Sequence, residues 1–158
     1  MQLIPFEENN APEIVSWFDS EHEAMMWGGR ALGWPLTAQA LCERTRRQDL
    51  RCYVLTHQQQ LLGFIELKAI SADEYRLCRV VVAKQSRGQG YGKTLVSNAL
   101  DILRQQVKVK RVTLAVYQAN PAALNCYLAL GFYITDQGPK FKRYKGKNWW
   151  LHQMEIAM

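Results

Sequence analysis

Three glycines at alternate positions, in the stretch QSRGQGYGK from Gln85 to Lys93, constrain the fold more than any other feature of this 158-residue sequence. The valine-rich run YRLCRVVVA precedes the stretch, and apolar residues at helical spacing follow it. Because a strand comes before the glycines and a helix after them, a floppy linker is a poor explanation. A helix N-terminus presents free N–H groups and a partial positive charge. The stretch therefore predicts an anion site, with phosphate as the leading candidate.

Two common nucleotide motifs do not match the glycines. A Walker A loop needs G-x-x-x-x-G-K-[ST], and Gly92, Lys93 and Thr94 supply its end, but Gly88 leaves the spacing one residue short. A Rossmann fingerprint needs G-x-G-x-x-G, and Lys93 stands where its third glycine belongs. A glycine-rich turn without any ligand stays open as the alternative.

A third motif matches at the same place. Gln85, Gly88 and Gly90 follow the pattern Q/R-x-x-G-x-G/A between a strand and a helix, which resembles the acetyl-CoA motif of the GNAT (Gcn5-related) superfamily of N-acetyltransferases. A later block is similar to the family pattern N-x-x-A-x-x-x-Y-x-x-x-G-F. Its matching residues are Asn120, Ala123, Tyr127, Gly131 and Phe132. The resemblance is specific from Tyr75 to Phe132.

The order of the predicted elements agrees with this resemblance. A short strand starts at Gln2, and strand-like runs at Arg51–His57 and Leu61–Ile70 predict a hairpin. Glu21–Pro35 reads as a loop or broken helix, and the last two strands are expected after Gly131 and near Trp149. The resemblance implies an α+β GNAT fold: a mixed central sheet of six to seven strands, helices on both faces, and a splay between the fourth and fifth strands. We expect a single domain over residues 1–158.

The resemblance implies acetyl-CoA as cosubstrate, and the net charge of +6 suits its phosphates. The backbone of the valine-rich strand is expected to pair with the pantetheine arm, and an N–H near Val81 or Val82 to stabilise the oxyanion. Asn120 is expected to bind that arm or to cap the helix opened by Pro121. The predicted cofactor-binding residues are Val80, Val81, Val82, Arg87, Gly88, Gln89, Gly90, Tyr91, Gly92, Lys93 and Asn120.

Tyr127 matches the tyrosine that the family places near the sulfur, so the resemblance implies that it protonates the departing thiolate; a structural tyrosine is the alternative. Glu66 is the first candidate for the base and Glu74 the second, with a water chain or a merely exposed strand carboxylate left open. None of the three histidines is placed for this role. The four cysteines are too far apart in sequence for a zinc motif, so no metal is expected.

The acceptor side is less constrained by the sequence. The family builds its acceptor pocket between the two N-terminal helices, where carboxylates and tryptophans here suit a cationic amine through charge pairing and cation–π contact. These residues are Asp19, Glu21, Glu23, Trp27 and Trp34. The alternative is that these carboxylates belong to a solvated helix end and the tryptophans to the core.

The leading function is acetyl transfer to a primary amine of a small molecule or peptide, by direct attack in a ternary complex. A non-catalytic acyl-CoA-binding domain is one alternative. Another is a GNAT acting on aminoacyl-tRNA through the basic runs that start at Arg44 and Lys140, although nucleic acid is the less expected partner. The N-terminus resembles no signal peptide, and no apolar run is long enough to span a bilayer, so a cytoplasmic protein is expected. Trp149 and Trp150 would point to opposite faces of a strand, and an exposed one suggests a homodimer.

Overall fold

The computed structural model describes residues 1–106, 108–135 and 140–158. Its strands and helices, in chain order, are β1 Gln2–Pro5, α1 Ala11–Val15, α2 Glu21–Leu32, α3 Ala38–Thr45, β2 Leu50–His57, β3 Gln60–Ala69, β4 Glu74–Val82, α4 Tyr91–Arg104, β5 Arg111–Tyr117, α5 Pro121–Ala129, β6 Tyr133–Ile134, β7 Lys140–Tyr144 and β8 Lys147–Ala157. Within these ranges, none of the helices combines the length and the apolar character needed to cross a membrane.

The strands form one mixed sheet in the order β1-β2-β3-β4-β5-β8-β6, with β7 paired to β8. Neighbours are antiparallel except for β4 and β5, which are parallel. The α+β class and the mixed sheet are therefore confirmed. The described chain has eight strands rather than six to seven, because Lys140–Tyr144, interpreted from sequence only as a basic run, forms a hairpin with β8.

The sheet opens between β4 and β5, which confirms the predicted splay. The two strands pair only where Glu74 meets Arg111, Tyr75 meets Val112, and Arg76 meets Thr113. Beyond Arg76 the rest of β5 remains paired with β8 on its other side. Among the described residues, one edge of β4 from Leu77 to Val82 thus has no neighbouring strand.

Helices cover both faces of the sheet. On one face α4 buries Leu95, Val96, Ala99, Leu100 and Leu103, the apolar stripe that the sequence predicts. On the other face α1 and α3 bury residues such as Ile14 and Leu41 against β2 and β3. Each fully buried leucine or isoleucine contributes about 1.5–3 kcal/mol to folding, so both helix layers are firmly attached to the sheet.

Of the loop or broken helix predicted for Glu21–Pro35, the broken helix is confirmed, as the kinked helix α2. Ser20 caps it by accepting a hydrogen bond from the Glu23 amide at 3.2 Å. The break falls at Gly29, whose φ of 62° lies outside the helical range, and the helix ends before Gly33. The kinked end of α2 reaches the open edge of β4.

Candidate active site

A cleft of about 680 Å³ occupies the opening between β4 and β5. It runs from the start of α4 along β4 towards the three residues where the two strands pair. The described residues that line it are Met26, Trp27, Gly28, Gly29, Arg76, Leu77, Cys78, Arg79, Val80, Val81, Val82, Ser86, Arg87, Gly88, Gly90, Tyr91, Gly92, Val96, Leu114, Ala115, Val116, Tyr117, Asn120, Ala122, Ala123, Cys126, Tyr127, Lys142 and Leu151. Most of the predicted site residues therefore meet in one cavity, while Glu66, Gln89 and Lys93 are not among those lining it.

The glycine stretch forms the turn that starts α4. Gly88 and Gly90 have φ values of 78° and 84°, in the left-handed region that glycine adopts without strain. Gly90 is the N-cap residue, and the first helical hydrogen bond of α4 runs from the Thr94 amide to the Gly90 carbonyl at 3.3 Å. The preceding amides have no helical partner, so the helix presents N–H groups to an anion at this end of the cleft.

Arg87 holds the glycine turn against the rest of the molecule. Its guanidinium donates to the Val82 carbonyl at 3.2 Å and to the Trp17 carbonyl at 3.4 Å. The arginine lines the cleft, but part of its hydrogen-bonding capacity goes to the protein backbone. Its charge strengthens the positive potential at the start of α4.

The valine-rich strand lines the cleft beside a β-bulge. Val81 pairs with Phe64 and Cys78 pairs with Glu66, so two residues of β4 lie opposite the one residue between them on β3. Arg79, one of these two, has a φ of 48°. A bulge turns backbone groups out of the regular ladder. It therefore changes the direction of the β4 backbone in the middle of the cleft.

Tyr127 and Asn120 approach the cleft from α5. Tyr127 is 8% exposed, and its ring packs edge-on against Phe132 at 5.9 Å between centroids. Burial raises the pKa of the Tyr127 hydroxyl above its ordinary value, so the group keeps its proton at neutral pH. The Asn120 side chain accepts a hydrogen bond from the Ala123 amide at 3.2 Å, which confirms its predicted capping role. Asn120 also lines the cleft, and its side-chain amide carries two N–H donors.

Glu66 lies in a different setting from the one expected of a base. The alternative of an exposed strand carboxylate is wrong, because Glu66 is fully buried. Its Oε1 accepts from Arg79 at 3.0 Å, and Arg44 approaches both of its oxygens at 3.4 Å. Since Glu66 is paired with two guanidinium groups and lies outside the cleft lining, an amine in the cleft has no direct access to it. The arrangement instead fixes Arg79.

The second base candidate, Glu74, is also engaged elsewhere. It accepts from the Arg111 Nε at 2.8 Å and from the Thr113 hydroxyl at 3.3 Å. It lies where β4 and β5 pair and is not among the residues lining the cleft. The described lining contains no carboxylate and no histidine.

The N-terminal carboxylates predicted for the acceptor are held by other partners. Asp19 forms an ion pair with Lys84, and Glu21 pairs with Lys145 at 2.9 Å. Glu23 accepts from the Asp19 amide at 3.0 Å. None of the three lines the cleft, so the interpretation as a solvated helix end describes them better.

Of the two tryptophans predicted for the acceptor pocket, only one lines the cleft. Trp27 lines the cleft, stacks on Phe18 at 4.6 Å, and donates its Nε1 hydrogen bond to the Arg79 carbonyl at 2.8 Å. Trp34 is 44% exposed and does not line the cleft. Trp27 thus joins α2 to the bulge of β4.

Arg76, Arg79 and Lys142 line the cleft, although the sequence predicts no role for the two arginines and places Lys142 only in the basic run that starts at Lys140. Arg76 and Arg79 were visible as charges inside an otherwise apolar strand pattern, a signal of a polar cavity beside the strand. Lys142 gave no such signal, because only the pairing of β7 with β8 brings it to the cleft.

Comparisons with known proteins point to one family. The profile described as the Acetyltransferase (GNAT) family matches residues 11–132. The spermidine N(1)-acetyltransferase of Vibrio cholerae serotype O1 is 29% identical over 88 residues, which are 53% of this chain and 49% of that protein. The chain therefore spans about half the length of this curated relative in the match.

Solved structures share the fold. The spermidine N-acetyltransferase of Vibrio cholerae, crystallised in complex with CoA and spermine, superposes with a TM-score of 0.80 at 21% identity, covering 99% of this chain and 94% of its own. A ribosomal-protein-alanine N-acetyltransferase from Brucella melitensis gives 0.76 at 17% identity and covers 100% of both chains. A GNAT family acetyltransferase from Streptococcus pneumoniae gives 0.72 at 18% identity, with 99% of both chains covered.

Proposed function

Because the chain belongs to the GNAT family of acetyltransferases, we propose that it transfers the acetyl group of acetyl-CoA to a primary amine of a small molecule or peptide by direct attack in a ternary complex. The observation that carries the proposal is the cleft itself. It joins the free amides at the start of α4, the unpaired edge of β4 and the buried Tyr127 in one cavity. These are an anion site, a site for an extended chain and a proton donor.

The residues present suit acetyl-CoA, which supplies the acetyl group already activated as a thioester. The left-handed turn at Gly88 and Gly90 leaves open space where a side chain would stand, so a phosphate can approach the backbone. We propose that the amides of Arg87, Gly88, Gln89, Gly90, Tyr91, Gly92 and Lys93 hold the pyrophosphate. Val80, Val81 and Val82 would bind the pantetheine arm through their backbone, with Asn120 donating from α5.

The chemical step requires a proton donor for the leaving thiolate and a route for the proton of the amine. A phenol, with a reference pKa of about 10, can protonate a thiolate whose conjugate acid is near 8.5. We propose Tyr127 for this role, supported by its position in the cleft wall. The amine proton would leave through water, because Glu66 and Glu74 are both committed to arginines. A backbone N–H near the bulge, at Val81 or Val82, would stabilise the oxyanion.

A nucleic-acid acceptor receives little support from the first basic run. Arg44 pairs with Glu66, Arg46 with Glu8 at 2.8 Å, and Arg47 with Asp49 at 2.8 Å. Arginines neutralised in this way bind phosphates less strongly than free ones. The proposed acceptor is therefore still a small molecule or a peptide.

The remaining features of the proposal concern the whole chain. We propose one acetyltransferase domain over residues 1–158, because β8 lies inside the sheet between β5 and β6. A cytoplasmic location agrees with the four free cysteines. A homodimer is proposed through the exposed pair Phe141 and Trp150, whose rings pack at 4.9 Å while both side chains face solvent.

The test measures cofactor binding and turnover separately. Isothermal titration calorimetry should show that one acetyl-CoA binds per chain. The binding enthalpy of CoA should be similar to that of acetyl-CoA. A thiol-release assay with acetyl-CoA and a panel of amines, aminoglycosides, polyamines, amino acids and peptides should reveal turnover. Binding without thiol release from any acceptor would favour a non-catalytic acyl-CoA-binding domain, and no binding at all would overturn the proposal.

A further inference from the structure

The end of the cleft farthest from α4 carries positive charge that acetyl transfer itself does not require. Arg76, Arg79 and Lys142, here called the distal cations, line the cleft away from the glycine turn, with Arg79 at the bulge and Arg76 where β4 pairs with β5. Arg76 stands six residues before Val82 in β4, which at about 3.3 Å per residue places it roughly 20 Å along the strand. The phosphates of the cosubstrate are expected at the opposite end. The distal cations therefore lie on the side from which the acceptor enters.

Each distal cation is held in place by the fold. Arg76 donates to the Thr113 hydroxyl at 3.3 Å and to Gln153 Oε1 at 3.1 Å, both neutral groups. Arg79 donates to Glu66 at 3.0 Å and to the Gly28 carbonyl at 3.1 Å. Its buried Nε has no hydrogen-bond partner among the described residues. Lys142 enters the cleft from β7, the outer strand of the C-terminal hairpin.

The hairpin is fixed over this end of the cleft by contacts with α2. Arg30 donates to the Arg143 carbonyl at 3.3 Å, and Lys145 pairs with Glu21 at 2.9 Å. Trp149 packs edge-on against His22 at 5.1 Å and against Tyr117 at 5.7 Å. Lys142 is thus positioned by a docked hairpin rather than by a free tail.

The neighbouring carboxylates leave the distal cations under-compensated. Glu66 is shared between Arg44 and Arg79, so one negative charge faces two positive ones. Glu155 accepts from the Tyr133 hydroxyl at 2.8 Å and lies 3.8 Å from Arg111. Arg76 has no carboxylate partner among the described residues. Nothing in the described part of the cleft wall supplies a negative charge.

The electrostatics of Lys142 reflect this excess of positive charge. Lys142 is exposed as a whole, but desolvation at the cleft wall lowers the pKa of its ammonium, and the charges of Arg79 and Arg76 lower it further. All three side chains line the same cleft, so their like charges face one shared space. An anion placed among them would remove that repulsion and satisfy the free donors.

Resting on the acetyl transfer proposed above, we infer that the acceptor is a small primary amine that carries a carboxylate, held by Arg76 and Lys142 at the distal end of the cleft. Arg79 adds positive potential while its bulge directs the β4 backbone towards the reacting carbonyl. A polyamine such as spermidine, the substrate named for the Vibrio cholerae relative, would bring its positive charges against three others. The acceptor of this chain accordingly differs in charge from that of the relative.

The first arm of the test compares each carboxylate acceptor with its own amide, and both with polyamines. Thiol release would be measured with the twenty common amino acids, β-alanine and γ-aminobutyrate, with the primary amide of each active compound, and with spermidine and spermine. We expect kcat/KM for the best carboxylate to exceed that for its amide by about 10- to 100-fold, the scale of a lost charge-assisted hydrogen bond. Faster turnover of the amides or of the polyamines would overturn the inference while leaving acetyl transfer intact.

The second arm changes the protein. Lys142→Glu should abolish the preference for the carboxylate and leave acetyl-CoA affinity unchanged, and Arg76→Gln should raise KM for the carboxylate acceptor. Lys147→Gln, an exposed lysine of the same hairpin outside the cleft lining, is the matched control and should behave as wild type. An unchanged carboxylate preference in Lys142→Glu and Arg76→Gln would overturn the assignment.

A binding readout covers the case in which no compound in the panel is acetylated. With saturating CoA, the melting temperature would be measured in 10 mM of each panel compound. Carboxylate amines should stabilise the wild-type complex but not Lys142→Glu. Absence of this difference, in a protein that binds CoA, overturns the inference, whereas failure to bind CoA or acetyl-CoA overturns the proposed function itself.

Discussion

Tyr127 is shared between the core and the cleft in which acetyl transfer is proposed. Its ring belongs to the core beneath α4 and α5, yet the same residue lines the cleft. Gly131, with a φ of 102°, ends α5 and lets Phe132 pack against the tyrosine ring. Because burial raises the pKa of the phenol, the hydroxyl stays protonated across the neutral range.

Replacing Tyr127 by Phe removes the hydroxyl and keeps the ring. We expect turnover to fall by about 10²–10⁴, the usual scale for a lost general acid, with little change in acetyl-CoA affinity. Steady-state kinetics and calorimetry on the same variant measure the two effects. A lower melting temperature with turnover within about threefold of wild type would instead identify a structural tyrosine.

Glu66→Gln should lower the free energy of unfolding. The change leaves Arg44 and Arg79 without their shared counter-charge, and breaking a buried ion pair in this way costs about 3–5 kcal/mol. Urea denaturation would measure the loss, with Glu13→Gln at an exposed position of α1 as control. A variant that keeps its free energy of unfolding but loses turnover would restore Glu66 as the base.

At the scale of elements, the start of α4 and the edge of β4 have separate roles in the proposed binding of the cosubstrate. The helix would offer amides to the phosphates, and the strand would offer hydrogen-bonding groups to the pantetheine arm. Both depend on the short parallel pairing of β4 with β5, which ends at Arg76 and lets the strands diverge. The cleft is therefore a property of the sheet rather than of any one loop.

Gly90→Glu tests the helix start. The substitution places a negative charge at the proposed phosphate site and a side chain at a φ of 84°, and we expect acetyl-CoA affinity to fall at least about 100-fold by calorimetry. Gly90→Asn is the control, because asparagine tolerates the left-handed conformation and adds no charge. Equal acetyl-CoA affinity in wild type and Gly90→Glu would show that the phosphates bind elsewhere.

Local patterns predicted those elements whose formation depends on neighbours in sequence. The glycine turn and the apolar stripe of α4 both follow from the spacing of residues within one short stretch. The strand β7 did not, because KFKRY lacks the apolar alternation of a strand and is stabilised by pairing with β8. The same long-range pairing hid Lys142, and the ion pair of Glu66 with Arg44 joins residues 22 positions apart.

At the scale of the whole molecule, the single sheet has one hydrophobic core on each face, and both cores use side chains of the same strands. α1, α2 and α3 are attached to one face and α4 and α5 to the other. The C-terminal hairpin carries two exposed aromatic side chains. There Phe141 is 49% exposed and Trp150 41% exposed, while Trp149 is half-buried.

The exposed pair predicts self-association. We expect light scattering at micromolar concentration to give the mass of a dimer, and Trp150→Asp to give a monomer with an unchanged melting temperature. Ile70→Asp, which changes an equally exposed apolar residue outside the hairpin, is the control and should remain dimeric. A wild-type mass of one chain, unchanged by dilution or by acetyl-CoA, would contradict the prediction.

The docking of the C-terminal hairpin onto α2 has a consequence for how such a chain can diverge. The wall that would face the acceptor is built from α2 and β7 together with Arg76 and Arg79 of β4, whereas the proposed cosubstrate wall is built from the rest of β4, α4 and α5. Substitutions in the hairpin can therefore accumulate without disturbing the helix start or the splayed strands. Inheritance of the cosubstrate wall and drift in the acceptor wall would let descendants of one ancestor exchange acceptors of opposite charge while keeping a common donor.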